Sequence, residues 1–406
     1  MRILHTSDWH LGRTLHGVDL LEHQSAYLDH LVDLVSAERV DAVLVAGDVF
    51  DRAVPPVPAV ELLADALARL AERTRVVLTS GNHDSAARLG FGARLFRERV
   101  NVRCRVADVG LPVAVPAADG RDGAWVYAVP YLDPDVARHR LAAPGGEDVP
   151  ERSHEGVIAA AVGRVRTDLA RRRAEAARRV PAVLVAHAFV VGGEPSESER
   201  DIQVGGVDSV PAGVLAAGGD LDYVALGHLH GPQRVTVPAA TSAGARRAGP
   251  EVRYAGSPLA YSFSERHHRK STALVTLDAD RPASVRLVPA PVPRRLADVT
   301  GALGELLGRA FDEAAGAWVR VVVTDDVRPP DLYGQVVRRF PHALVVQHRP
   351  ARGAAPAAAR DVVAAHDPLE VAAQFVADVG GRCATPDERA GLRAAYEAAL
   401  AAVAGA

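Results

Sequence analysis

Cysteine is scarce in this chain, with Cys104 and Cys383 the only two among 406 residues. Two thiols so far apart suggest neither a disulfide scaffold nor a thiolate metal site, and a reducing, cytoplasmic setting fits best. Long apolar runs are also missing. No stretch approaches a membrane span, and the opening MRILHTSDWH lacks a cationic start, an apolar core and a small-residue cleavage site. The expectation is a soluble protein with no membrane association and no obvious export signal. Charge of one sign is lacking too: the formal net charge is −3, so any grip on nucleic acid has to come from local patches, bound metals or a partner. Lysine occurs once, as Lys270, and the other basic side chains are Arg, which reads as coding bias.

What is present is ordinary for a packed globular protein, with 48% hydrophobic and 24% charged residues. The length exceeds what one core usually serves, so a large domain with a smaller appendage is expected. From residue 1 to about 290, short β-branched runs alternate with amphipathic stretches, which argues for an α/β (α+β) layered domain. RILHT, AVLVAG and RVVLTS read as buried strands. VELLADALARLAE reads as a helix between the second and third, with Val60, Leu63, Leu67 and Leu70 on one stripe. An Arg-rich helix is expected at roughly 155–179, followed by strands at AVLVAH, DYVALGH, VRYAGS, TALVTL and SVRLVP. The Pro-rich PAPVPRR marks a break. Beyond it, over residues 291–350, a helix at 298–313, strand WVRVVVT, helix DLYGQVVRRF and strand ALVVQHR predict a small α/β domain. Residues 351–360 read as an Ala/Pro linker. Residues 361–406 read as a helical tail, PLEVAAQFVADV and then PDERAGLRAAYEAALAAV, the second with Pro386 and two acidic residues at its start.

Five short motifs stand at the ends of strand candidates: Asp8-Trp9-His10, Gly47-Asp48, Gly81-Asn82-His83-Asp84, His187 in LVAHAF, and Gly227-His228-Leu229-His230. Each supplies metal-ligand residue types. Side chains two apart on extended backbone point the same way, so Asp8 with His10, and His228 with His230, are each expected to bring two ligands to one place. The adjacent glycines permit tight turns at the strand ends. A phosphodiester repels an anionic nucleophile and offers a poor leaving alkoxide. Two divalent cations about 3.5 to 4 Å apart neutralise that charge, lower the pKa of a bound water and clamp both oxygens. Asp48 is the candidate bridge, with Asp8, His10 and His230 completing one ion and Asn82, His187 and His228 the other. Imidazole, carboxylate and amide oxygen without thiolate favour Mn²⁺, with Fe²⁺ or Zn²⁺ open.

In this order, D-x-H, GD, GNHD, a lone His and GHxH resemble the pattern of the calcineurin-like metallophosphoesterase family. MRILHTSDWHLGR, VAGDVFDRAVPP, IQVGGVDSVPAGV, DYVALGHLHGPQ and VRYAGSPLAYSFSE resemble, more narrowly, its bacterial repair nucleases over residues 1 to roughly 290. The resemblance implies a four-layer sandwich of two mixed sheets flanked by helices, with residues 1–290 as the nuclease domain and 291–350 as a DNA-contacting cap. It also implies Mn²⁺-dependent exonuclease and endonuclease action on DNA. Implied partners are a coiled-coil ATPase of the SMC type and a second copy of the chain in a heterotetramer; the apolar stripes of the tail, Leu369, Ala372, Ala373 and Val376 and then Leu392, Tyr396, Leu400 and Val403, are the expected surface for that ATPase, with folding back on the second domain as the alternative. Within the resemblance His83 is the histidine that contacts the scissile phosphate and protonates the leaving oxygen, and Asp84 is expected to hold its ring. Relatives often carry a second histidine where this chain has Asp51, which leaves the part played by Asp51 open.

Most other histidines, among them His5, His16, His139, His154, His267, His268, His342, His348 and His366, read as structural or solvated. Trp9, between two ligands, reads as a buried wall. Arg171, Arg172, Arg173, Arg178 and Arg179 read as a solvated helix face before a track for DNA. Two competing functions use the same motifs differently. A nucleotide or phosphoprotein phosphatase needs no cap or tail, and a non-catalytic DNA-end tether needs no intact ligand set.

Overall fold

The computed structural model describes residues 1–96, 98–117, 119–142, 148–199, 209–216, 220–237, 249–350, 369, 372–373, 376 and 383–404, with backbone alone for 216 and 397–404. The expected linker 351–360, most of the first tail helix, and residues 202–208 of IQVGGVDSVPAGV lie outside the described residues. Two compact units result, one of Met1–Val322 with Asp331–Gln347, the other of Val323–Pro330 with His348–Ala406.

The larger unit opens with β1 (Arg2–Thr6), the hairpin β2 (Thr14–Leu15) and β3 (Val18–Asp19), α1 (Leu21–Glu38), β4 (Ala42–Ala46), α2 (Val57–Ala71), β5 (Arg75–Thr79), α3 (Ala86–Leu89) and β6 (Val100–Val102). Next come β7 (Val113–Pro116), β8 (Asp122–Val129), α4 (Pro134–Leu141), α5 (His154–Glu175), β9 (Ala182–His187), α6 (Ala212–Ala216), β10 (Tyr223–Gly227), β11 (Gln233–Val235) and β12 (Glu251–Tyr254). β13 (Ser271–Thr276) and β14 (Ser284–Pro289) return to the first sheet, whose order is β14-β13-β1-β4-β5-β6. The second sheet runs β11-β12-β10-β9-β8-β7. Each has four parallel strands: in the first they run from β1 to the β6 edge with the antiparallel β13 and β14 on the other side, and in the second they lie between the antiparallel edges β11 and β7. Parallel strands covered on both faces need continuous apolar runs, which is why AVLVA and YVALG are buried at every residue.

The layers follow from where the alternate side chains go. Val43, Val45, Val76 and Leu78 of the first sheet pack with Leu28, Leu31, Val35 of α1 and Leu63, Leu70 of α2. Tyr127, Leu184 and Leu226 of the second sheet pack with Val157, Val165 and Leu169 of α5. Between the sheets lie Ile3, Ala42, Leu44 and Val77 against Val126, Val183, Val185 and Ala225. The result is the four-layer sandwich, helices outside and two mixed sheets within. His5 pins the sheets together: its Nδ1 is 2.9 Å from the Tyr223 hydroxyl and its Nε2 is 3.2 Å from the Leu226 carbonyl. Burial pushes this imidazole down to about 3, so it stays neutral, donating to the carbonyl and accepting from the tyrosine.

A third sheet, β15 (Leu296–Gly301), β16 (Trp318–Val323) and β17 (Ala343–His348) in the order β15-β16-β17, is backed by α7 (Leu303–Leu306) and α8 (Leu332–Arg339). Leu296 and Trp318 pack with Leu15, Leu20, Leu259, Tyr261 and Phe263. Here the expected helix at 298–313 is corrected: its first four residues are strand, and only short helical turns follow. Leu296 and Val299 are buried within LADVTG, while Gly301, Gly304 and Gly308 weaken a continuous helix. The α2 stripe also differs. The helix begins at Val57, and the face it packs on the first sheet is Ala59, Leu63, Ala66 and Leu70, which leaves Val60 exposed. Strands β6, β7, β8 and β11 were not expected from the sequence.

In the smaller unit, α9 (Pro386–Ala404) starts with a reciprocal cap. Thr385 Oγ1 accepts from the Glu388 N–H at 3.3 Å, and the Glu388 carboxylate accepts from the Thr385 N–H at 2.8 Å.

Candidate metal centre

The parallel strands β1, β4, β5, β9 and β10 end on one side of the sandwich, and each of the five motifs lies at one of these ends. The expectation of extended backbone through them is corrected. β1 stops at Thr6, and Asp8, His10, Asp48 and His228 have φ of 53°, 45°, 48° and 110°. Left-handed backbone outside glycine costs on the order of 1–3 kcal/mol per residue and persists only where the surroundings over-determine it. Here they do: Asp8 N–H donates to Gly47 O and His10 N–H to Asp48 O, both at 3.0 Å. His228 N–H donates to Asp8 Oδ1 at 3.0 Å, and His83 N–H to Asp48 Oδ1 at 2.9 Å. The glycines leave no room for more. A Cβ on Gly227 would lie 1.8 Å from the Ala46 carbonyl oxygen, and one on Gly81 would lie 2.1 Å from Asp48 Oδ1.

Ligand atoms meet in overlapping groups. Asp8, His10 and His230 offer atoms within 4.8 Å of one another, as do Asp8, Asp48 and His187, with Asp8 common to both, and Asp48 also groups with His10 and His83. His10 Nε2 is 3.1 Å from His230 Nε2, and Asp48 Oδ2 lies 3.7 Å from His10 Nε2 and 3.5 Å from His187 Nε2. Asn82 Oδ1 is 2.8 Å from His187 Nε2 and 3.3 Å from His228 Nδ1. His187 Nδ1 donates to the Ala46 carbonyl at 2.9 Å, which leaves Nε2 bare on the side of Asp48. His83 also comes within reach of His10 and Asp48. Its Nδ1 donates to the Asp51 carbonyl at 2.8 Å, and its side chain is partly exposed at the mouth beside Arg13 and Arg52.

Electrostatics fit such a group of atoms to dications. Burial, and then the neighbouring Asp48, push the Asp8 carboxyl well up. Burial, and then the neighbouring imidazoles, push His10 and His228 well down, and burial lowers His187 against the pull of Asp48. Neutral imidazoles are the ligating form, and two buried carboxylates this close call for positive charge between them. Divalent cations therefore fit the residues present.

Support around the cluster was only partly foreseen. Asp84 does not hold the His83 ring, and that expectation is corrected. Its carboxylate accepts the N–H groups of Val49 at 3.0 Å, Phe50 at 2.9 Å and Gly81 at 2.9 Å, clamping the Gly-Asp loop to the Gly-Asn-His loop. Asp51 supplies the ring's acceptor through its backbone, and its side chain lies 3.7 Å from His10 Nδ1 and 3.5 Å from Arg13 Nη1. Gln24 donates to the carbonyls of Trp9 and His10. Glu265 lies beside His230 and Lys270; burial would raise its carboxyl, but Lys270 and His230 outweigh that and hold it well below the usual range. None of these has a sequence signal beyond its polarity. Trp9 is the expected wall, buried with its Nε1–H on Thr6 Oγ1 at 2.9 Å. The Arg-rich end of α5 and the segment after it are paired within the chain, Arg171 and Arg172 with Asp168, and Arg179 with Asp220 and Asp222.

Residues 1–232 match the calcineurin-like phosphoesterase family, and residues 292–380 match the type 5 capsule protein repressor C-terminal domain. The SbcD subunit of nuclease SbcCD from Bacillus subtilis (strain 168) is 36% identical over 281 residues, covering 68% of this chain and 66% of that protein, just under two thirds. The corresponding SbcD subunit from Rhodobacter capsulatus is 37% identical over 330 residues, covering 78% of this chain and 76% of that protein. A crystal structure of TT1561 from Thermus thermophilus aligns at TM-score 0.37 and 15% identity over 70% of this chain and 98% of that one, too distant a likeness to bear on function. The chain belongs to the calcineurin-like phosphoesterases, in the branch of the SbcD proteins.

Proposed function

We propose that this chain is the nuclease subunit of an SbcCD-like complex, hydrolysing phosphodiester bonds in DNA with two divalent cations, Mn²⁺ by the chemistry of its donors, in repair and recombination. The observation that carries this reading is Asp48 Oδ2 set between His10 Nε2 and His187 Nε2, with Asp8 and His230 on one side and Asn82 and His228 on the other. The cations supply charge neutralisation and activation of the attacking water when bound. The chain's own contribution is to hold neutral imidazoles and carboxylates in place at strand ends. His83 holds Nδ1–H on the Asp51 carbonyl, so its Nε2 is left to meet the scissile phosphate; as imidazolium it gives the Nε2 proton to the leaving oxygen and reverts to the neutral Nδ1–H ring. Arg13 and Arg52 beside it place positive charge where the DNA backbone enters.

The small sheet of residues 291–350 serves as the DNA-contacting cap. The tail of residues 361–406 is the docking segment for an SbcC-like coiled-coil ATPase. A second copy of the chain completes the nuclease half of a heterotetramer. Val54, Val57, Phe91 and Leu95 are 62%, 68%, 84% and 78% exposed, and Arg88 ties the segments that carry them through the Ala53 carbonyl. Exposed apolar side chains on two segments tied together in this way suit a self-complementary contact. The test is metal-dependent digestion of a DNA hairpin beside a generic phosphate ester. Mn²⁺-dependent scission of the hairpin at a far higher rate supports the nuclease, whereas preference for the small ester supports a phosphatase.

A further inference from the structure

Of the 47 Lys and Arg residues, Lys270 is the single lysine, and it is buried immediately before β13. Its ammonium has three N–H donors and finds three acceptors: the His230 carbonyl at 3.0 Å, Ser257 Oγ at 2.8 Å, and the Glu265 carboxylate. A planar guanidinium with five donors has no matching set there, so this is a place where arginine does not substitute. The partner carboxylate is fully buried as well. Buried ion pairs are weak contributors to stability, because desolvation offsets their attraction, so the pair calls for a reason other than stability.

The reason lies at the other Glu265 oxygen. Ser198 Oγ donates to Glu265 Oε1, which leaves the serine lone pair to accept from His230 Nδ1–H at 2.6 Å. Glu265 Oε1 is itself 3.2 Å from His230 Nδ1. Both contacts place the imidazole proton on Nδ1 and leave Nε2 bare, 3.1 Å from His10 Nε2 in the cluster. We propose that Lys270 and Glu265 are positioning residues, a buried pair that sets the tautomer and ring angle of His230 and so tunes one of the two metal positions. This rests on His230 being a metal ligand. The pair grips His230 twice, Glu265 by its ring and Lys270 by its carbonyl, so ring and backbone are fixed together.

The variants are Glu265→Gln with Lys270→Met, which removes the charges together, and Ser198→Ala, which leaves the pair intact. Mn²⁺ binding to the full chain is followed by calorimetric titration and by the Mn²⁺ paramagnetic resonance spectrum. Wild type is expected to bind two ions. The double variant should lose about 10- to 100-fold in affinity at one position only, as loss of a ligand's hydrogen-bond partner does, with an altered spectrum and DNA cutting restored by excess Mn²⁺. Ser198→Ala should move the same position by less, and it carries the test if the double variant does not fold. Unchanged binding in both variants, or equal weakening of both positions, overturns the positioning role. Absence of Mn²⁺ binding by wild type instead overturns the metal reading beneath it.

Discussion

His83 Nδ1 donates to the backbone carbonyl of Asp51 at 2.8 Å, so the ring is oriented by main chain. Replacing the Asp51 side chain therefore leaves that anchor in place, while replacing His83 removes the proton donor. His83→Gln is expected to retain two bound metals and to cut DNA at least about 100-fold more slowly, the usual worth of a positioned acid. Metal content by elemental analysis beside single-turnover rates checks this, and a fall in metal occupancy that parallels the rate would make His83 a ligand instead.

Gly227→Ala places a methyl group 1.8 Å from the Ala46 carbonyl oxygen, with backbone on both sides of the clash. Strand β10 has to part from β4 to admit it, at a cost of about 4 kcal/mol or more, the range reserved for severe steric insults. Thermal unfolding of the variant should show a loss of many degrees or a failure to fold. A melting temperature within a degree or two of wild type would mean that the two sheets do not approach this closely.

Much of this was legible in the sequence and some was not. Apolar runs such as AVLVA and YVALG announce buried parallel strands, and the ordered motifs bring Asp8, His10, Asp48, Asn82, His187, His228 and His230 together because each stands at a strand end. The route was misread: pairs two apart were expected to share a face of extended backbone, whereas left-handed φ at Asp8, His10, Asp48 and His228 turns them inward. Backbone of that kind is imposed by tertiary hydrogen bonds, which no local pattern records. β8 (Asp122–Val129) follows the turn dipeptide Asp119-Gly120 and opens on another, Asp122-Gly123, but its apolar run AWVYAV does not alternate, and LADVTG in β15 carries its apolar residues at a spacing that a helix shares. Gln24, Glu265 and Lys270 lie 14 to 40 residues from the histidines they contact, so spacing gives no hint of them.

Asp84 gives a pH signature. Burial, and then Asp48, push its carboxyl up to about 7, against about 3.9 in an unfolded chain. A folded-state pKa above the unfolded one means that the native state holds the extra proton, so this contribution to stability is complete below about pH 4 and is lost as pH rises toward 7. In chelator the buried imidazoles His5, His10, His187 and His228, held below their usual range, pull the other way, so the signature is a difference: wild type should lose melting temperature relative to Asp84→Asn as pH rises from 4 to 7. A difference between the two proteins that stays constant across that window contradicts it.

Deletion of residues 361–406 should spare Mn²⁺-dependent cutting of single strands by the isolated chain and abolish ATP-stimulated cutting of duplex in the presence of the ATPase. Co-purification of the truncated chain with that partner at undiminished affinity would refute the docking role of the tail.

Phe91→Glu with Leu95→Glu introduces two charges into the exposed apolar cluster and should yield a monomer by light scattering, with metal binding intact. A dimer of unchanged mass would place the self-contact elsewhere.

The most direct measurement is the number of Mn²⁺ ions bound at saturation by wild type and by Asp48→Ala, read beside the rate at which each cuts a DNA hairpin. Two ions and rapid cutting are expected for wild type. Loss of tight binding of the ion pair together with cutting is expected for the variant, whose fold stays intact because Asp48 stands beyond the strand end. Two ions held as tightly by Asp48→Ala, with normal turnover, would contradict a centre bridged by this carboxylate.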